Sequence, residues 1–216
     1  MFLDPLALVD ACEHCYAYPM FRAGPQGRDA ASVVKVEGET VLVFRGTVTE
    51  GAVAFLDWLN DLRAELTYRP DYPGLVHAGF ASSVDNLLPM LPMFNGPLTI
   101  TGHSKGGALA LLMGMWLFAR QGLRARVVMF AAAKAGNDLF AHAANDALEI
   151  DRYENPHDVV PKLPPADYRA AGYRITPPAT WQAPRGVVEN HALETGYRPW
   201  IAADRPHPPA KARLAA

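Results

Sequence analysis

Leu98-Thr99-Ile100-Thr101-Gly102-His103-Ser104-Lys105-Gly106-Gly107-Ala108 is the stretch that decides how the whole chain is read. Leu98 to Thr101 is a short apolar and β-branched run, which reads as a buried strand. From Gly106 the sequence stays uncharged through Ala119, which reads as a buried helix. Between them, Gly102-His103-Ser104-Lys105-Gly106 sets a serine with glycine two residues before it and two after. Where a strand enters a helix through so tight a turn, the serine is held in strained dihedrals with its Oγ exposed. A side chain at either glycine would collide with the neighbouring strand or helix. An ordinary strand-to-helix turn has no use for glycine on both sides of a serine, so Ser104 is the candidate nucleophile.

Outward from this unit, Asp4 or Pro5 starts a helix that runs to about Tyr18, where Pro19 stops it. Ser32–Val36 and Thr40–Phe44 are β-branched runs separated by Glu37-Gly38-Glu39, the pattern of a hairpin. Arg126–Ala131 and Leu148–Tyr153 read as further buried strands, with helical patterns over Phe80–Leu91 and Asn137–Ala147. Strands alternating with helices predict an α/β fold with a mostly parallel central sheet flanked by helices. The 216 residues suit one domain, placed at 1–201, and the Pro- and Ala-rich run 202–216 reads as a mobile C-terminal tail.

The balance of 20 Lys plus Arg against 22 Asp plus Glu gives a net charge of −2, too little positive charge to hold nucleic acid. The uncharged stretch 106–119 falls short of the ~20 residues a membrane-spanning helix needs. The start, Met-Phe-Leu-Asp-Pro, lacks a basic region, and acidic residues interrupt the apolar ones. The expectation is a cytoplasmic protein, or one exported without a standard signal peptide. Cys12 and Cys15 resemble half a zinc site, but four ligands are needed, so they read as two thiols on a helix and no metal is expected.

A serine hydroxyl needs a base within hydrogen-bond reach, and the base needs a carboxylate to orient it. Sites built on such an elbow run Ser, acid, His along the chain. Of the later histidines, His142 lies in a helical stretch before any convincing acid, His157 adjoins Asp158, and His207 is in the tail, which leaves His191. The acid belongs on a turn just beyond a strand, where Asn155-Pro156-His157-Asp158 follows Leu148–Tyr153. Asp158 fits that place, whereas Asp151 falls inside the strand and Asp167 well past it. The oxyanion donors are the backbone N–H of Lys105 and, in the loop after Phe44, Thr47.

Together these blocks resemble the class 3 lipase family of the α/β-hydrolase fold. The matching blocks are Val41-Leu-Val-Phe-Arg-Gly-Thr47, Trp58-Leu-Asn-Asp61-Leu62, Val76-His77-Ala78-Gly79-Phe80, Thr101-Gly-His-Ser104-Lys-Gly-Gly107, Asn155-Pro-His-Asp158-Val-Val-Pro161 and the late His191. The resemblance implies hydrolysis of carboxylic esters, acylglycerol lipids among them, with no cofactor. It also implies Thr47 as the oxyanion residue, a transient lipid interface, and a lid after Thr47, where Val53, Ala54, Phe55 and Leu56 are the candidates. Phospholipase A1 and aryl-ester (feruloyl-type) esterase are the alternatives within enzymes, and a non-catalytic hydrolase-fold binding protein the alternative outside them. The family usually has an apolar residue after the nucleophile. Lys105 stands there, its ammonium expected to reach solvent or else to face the site and favour anionic substrates. His77 is expected to orient loops.

Overall fold

The computed structural model describes residues 2–48, 55, 57 and 65–203. Val53, Ala54, Leu56, Trp58, Asp61, Leu62 and the tail from 204 onward lie outside the described residues.

Helix α1 (Pro5–Ala17) starts where expected, because Asp4 Oδ1 accepts the Leu6 amide at 3.0 Å and Pro5 opens the first turn. Three antiparallel strands follow: β1 (Phe21–Ala23), β2 (Asp29–Val36) and β3 (Glu39–Phe44). Then come β4 (Leu66–Tyr68), β5 (Leu75–His77), α2 (Ala78–Leu87), β6 (Leu98–His103), α3 (Lys105–Gln121), β7 (Arg126–Phe130), β8 (Gly136–Asn137) and α4 (Asp138–Ala147). The chain continues through β9 (Glu149–Tyr153), β10 (Tyr168–Arg169), β11 (Tyr173–Ile175), α5 (Val187–His191) and α6 (Arg198–Ala203). Helix α6 thus carries Ala202 and Ala203, two residues that the sequence pattern assigns to the tail. Helix α2 ends four residues before the expected Leu91, since Pro89 cannot donate to a carbonyl one turn back.

The central sheet has the order β1-β2-β3-β6-β7-β9-β11, parallel from β3 to β11. Because side chains alternate across a strand, each buried strand feeds two cores. Leu42, Phe44, Ile100, Val127 and Met129 face α2, α3 and α4, where Phe80, Leu109, Leu112 and Phe140 meet them. Val41, Val43, Val128 and Phe130 face the other way, onto Leu8, Val9, Cys12 and Cys15 of α1 and Trp200 and Ile201 of α6. Both thiols are fully buried in that second core, and burial pushes their pKa values up. Arg198 holds α6 to α1 through Asp10 (2.6 Å) and Glu13 (2.5 Å). A second, antiparallel sheet, β10-β8-β5-β4, has no counterpart in the sequence reading. Its strands are only two or three residues long, too short to leave an alternating pattern.

His77 orients a helix start. Its Nδ1 accepts the Phe80 amide at 3.2 Å and so caps α2, while its ring stacks on Phe80 with centroids 3.6 Å apart. The capping role requires a bare Nδ1, and burial pushes the imidazole pKa down to about 4. The folded protein therefore keeps the ring neutral while the unfolded chain protonates it below about pH 6.5, so this stability is complete above 6.5 and is lost as pH falls toward 4. We expect unfolding free energy to drop on the order of 3 kcal/mol more across that window in the native chain than in His77→Asn, which keeps a capping oxygen but does not titrate. Denaturant melts at pH 7 and pH 4 measure the difference, and parallel pH dependences would remove His77 as the titrating group.

Candidate active site

The elbow is built by close backbone approach. A Cβ placed on Gly106 would lie 2.2 Å from the Phe44 carbonyl oxygen of β3, and one on Gly102 would lie 2.3 Å from the Gly106 backbone. Neither neighbour is a flexible side chain, so both positions exclude any other residue. Squeezed between them, Ser104 adopts φ 59° and ψ −127°, a conformation that costs about 1–3 kcal/mol in a non-glycine residue. Its amide donates to the Phe130 carbonyl at the end of β7 (3.0 Å), which ties the strained turn to the sheet.

The loop after β3 crosses the elbow. Arg45 is buried, with its amide donating to Ala30 O (2.9 Å) and its guanidinium to the carbonyls of Gly27 (3.3 Å) and Arg28 (3.1 Å). Arg45 thus anchors the loop. At Gly46 an added Cβ would meet the Tyr16 hydroxyl, the His103 carbonyl and Ser104 Cβ at 2.1, 2.6 and 3.2 Å. That approach delivers Thr47 to the wall of the cavity that Ser104 lines.

Asp158 is fully buried in the turn after β9. Its Oδ2 faces His191 Nδ1 at 2.9 Å and accepts the Tyr197 hydroxyl at 2.8 Å, while Oδ1 accepts the Val160 amide at 2.9 Å. A carboxylate with these donors is fixed in place and fixes the imidazole. Ser104 and His191 line one cavity of about 360 Å³. Asp151 is paired with Arg126 (2.9 Å) inside β9, and Asp167, His142 and His157 are exposed.

Three supports escape the sequence reading. Tyr197 donates to Asp158, and its phenol is raised well above its ordinary pKa, by burial first and by Asp158 second. Asn155 Nδ2 donates to Asn190 O (3.0 Å) and Oδ1 (2.8 Å), which bolts the acid's turn to the helix carrying His191. No local pattern announces either pair. The third support concerns Lys105, where the expectation of an ammonium facing the site gives way. Its ammonium is absent from the cavity lining and turns onto Asp29 Oδ1 at 2.7 Å, with Asn86 Nδ2 at 2.9 Å from Oδ2. Burial alone would raise the Asp29 carboxyl, but the hydrogen bonds from Lys105 and Asn86 outweigh it and leave the pKa lowered. Lys105 remains the first residue of α3, whose amide has no earlier turn to donate to.

Phe55 is buried on the cavity wall, its ring centroid 5.0 Å from that of His191. Val48, Val188, Ala192 and Leu193 complete an apolar surface, and Glu194 and Glu13, the latter paired with Arg198, border it.

The sequence pattern of class 3 lipases matches residues 41–168, more than half of the chain. The chain belongs to the class 3 lipase family. That span takes in Thr47, Ser104 and Asp158 and stops before His191, whose place in the site rests on its geometry. The lipase of Rhizopus niveus is 31% identical over 142 residues, covering 59% of this chain and 35% of that protein. The chloroplastic phospholipase A(1) DAD1 of Arabidopsis thaliana is 31% identical over 156 residues, covering 58% and 34%. The chain thus spans about a third of the length of these curated relatives. A solved triacylglycerol lipase, described as having a serine protease triad as its catalytic centre, superposes with TM-score 0.64 at 24% identity. The superposition covers 79% of this chain and 77% of that one, and the shared fold is the α/β-hydrolase fold.

Because the ammonium of Lys105 is occupied by Asp29, Lys105→Leu should leave the ratio of turnover on anionic and neutral soluble esters unchanged. The same change should lower unfolding free energy by about 3 kcal/mol, since it strands a buried carboxylate. A shift in the substrate ratio would place the ammonium at the site after all.

Proposed function

We propose that the protein is a serine hydrolase of carboxylic esters, acting on neutral acylglycerol lipids through Ser104, His191 and Asp158. The observation that carries this reading is the His191–Asp158 contact on the wall of the cavity that also holds the strained Ser104. In this reading His191 Nε2 takes the Ser104 proton as Oγ attacks the ester carbonyl, and returns it to the departing alcohol. Asp158 holds the tautomer and balances the imidazolium. The Lys105 amide and Thr47 receive the developing oxyanion, donors that are typically worth about 3 kcal/mol each. Water then releases the acid by the same proton relay in reverse.

The choice of a neutral substrate rests on the lining. Among the described residues of that lining no Lys or Arg is present to neutralise a phosphate, Glu13 is already paired with Arg198, and Glu194 would repel one. Phospholipase A1 activity, the named property of one relative, therefore ranks behind acylglycerol hydrolysis. Phe55 supports a lid, since a phenyl ring over the base costs roughly 1.5–3 kcal/mol to expose to water and little at a lipid surface. Among the described residues no helix is long and apolar enough to cross a membrane.

Initial rates on tributyrin, phosphatidylglycerol and p-nitrophenyl butyrate test the reading. Hydrolysis of the first and last well above the phospholipid is expected, abolished in Ser104→Ala, and preference for the anionic phospholipid would overturn the substrate assignment. Asp158→Asn should lower kcat by about 10³ to 10⁴ through the wrong imidazole tautomer. Asp151→Asn, which strands Arg126, should instead lower stability and spare kcat.

A further inference from the structure

His103 sits between Gly102 and Ser104 with its ring buried, and both ring nitrogens are engaged. Nε2 lies 2.8 Å from the backbone carbonyl of His191. A carbonyl only accepts, so Nε2 carries the hydrogen. Burial, and after it the neighbouring His191, hold the imidazole well below its ordinary pKa, so the ring is neutral and Nδ1 is a bare lone pair. The Tyr16 hydroxyl, 2.9 Å from Nδ1, must then donate to it. With its hydrogen committed, the Tyr16 oxygen has only lone pairs left, and it packs directly against Gly46, where an added Cβ would lie 2.1 Å from it. Donation therefore runs from Tyr16 O–H to His103 Nδ1 and from His103 Nε2–H to the His191 carbonyl, with the Tyr16 oxygen seated against Gly46. Each bond in such a chain polarises the next.

One end of this chain packs against the oxyanion loop, and the other holds the backbone of the base. Gly46 directly precedes Thr47. His191 closes α5, a helix of five residues whose last carbonyls have no further turn to accept from. The carbonyl of Asn190 is capped by Asn155, and that of His191 by His103. The rings of His103 and His191 stand 4.6 Å apart, tilted by 37°. We propose that Tyr16 and His103 are positioning residues that lock the oxyanion loop and the backbone of the base into one register across the nucleophile. This inference rests on the ester-hydrolase reading. It also assigns a task to α1, which brings Tyr16 to the site from the far end of the chain and is itself held by Arg198. The direction of the chain excludes Tyr16 as an oxyanion donor, since its one hydrogen points to His103.

Three variants test the coupling on p-nitrophenyl butyrate, each with kcat, KM and the thermal midpoint recorded. Tyr16→Phe, which removes the hydroxyl that heads the chain, should lower kcat about 10- to 100-fold with KM within about twofold, the signature of lost alignment rather than lost binding. His103→Gln can still present an N–H where Nε2 stood, whereas His103→Asn places its amide near Nδ1 and leaves the His191 carbonyl uncapped. Higher kcat in Gln than in Asn at equal thermal midpoint is therefore expected, a difference that a merely structural histidine would not produce. Undiminished kcat in Tyr16→Phe, or Asn equal to Gln, would overturn the coupling while Ser104-dependent hydrolysis by the unaltered chain upholds the hydrolase reading. Absence of hydrolysis by the unaltered chain would overturn both. Should the His103 variants fail to fold, the Tyr16→Phe result decides alone.

Discussion

The approach of α3 to β3 and β6 through Gly106 and Gly102 is the contact on which the remaining structure depends. With 2.2 and 2.3 Å between a would-be Cβ and rigid backbone, the helix can lie against the sheet only if both residues are glycine. That closeness forces the turn between them to a single residue of positive φ, and the residue there is Ser104. It also aligns α3 so that Leu109 and Leu112 enter the core formed with Leu42, Ile100 and Val127. Two fully buried leucines contribute roughly 1.5–3 kcal/mol each, which outweighs the strain at the serine.

The site then follows from the parallel sheet. Thr47 comes after β3, Ser104 after β6 and Asp158 after β9, all at the carboxyl ends of parallel strands, where such folds gather their ligands. His191 arrives from outside the sheet, on a short helix held by side chains on both sides: Asn155 from the acid's turn and His103 from the elbow. The apolar cover of Phe55 and Val188 lowers the local dielectric, which strengthens the His191–Asp158 interaction and disfavours water as a competing partner.

What is legible in the sequence is whatever is local. The glycine spacing around Ser104 leaves a pattern because adjacent backbone segments enforce it, and the β-branched runs of β2, β3 and β7 leave one because each face of the sheet must be filled. The turn Asn155–Asp158 is readable as the place for an acid because it directly follows a strand. Partnerships across the chain leave no pattern: Tyr197 with Asp158, Asn155 with Asn190, Tyr16 with His103, and Lys105 with Asp29 join residues 35 or more positions apart. Lys105 is the instructive case. Its position beside Ser104 suggests a part in substrate choice, but a long flexible stem lets the ammonium find a buried carboxylate on β2 instead. The second sheet is hidden for the opposite reason, since its strands are too short for any period to show.

The central claim is that Ser104 is an activated nucleophile. It is tested most directly by treating the intact protein with a fluorophosphonate and locating the adduct by peptide mass spectrometry. One adduct per chain is expected, on Ser104, and none in His191→Ala, which removes the imidazole proposed to activate it. An adduct on another residue, or no adduct on the folded native chain, would contradict it.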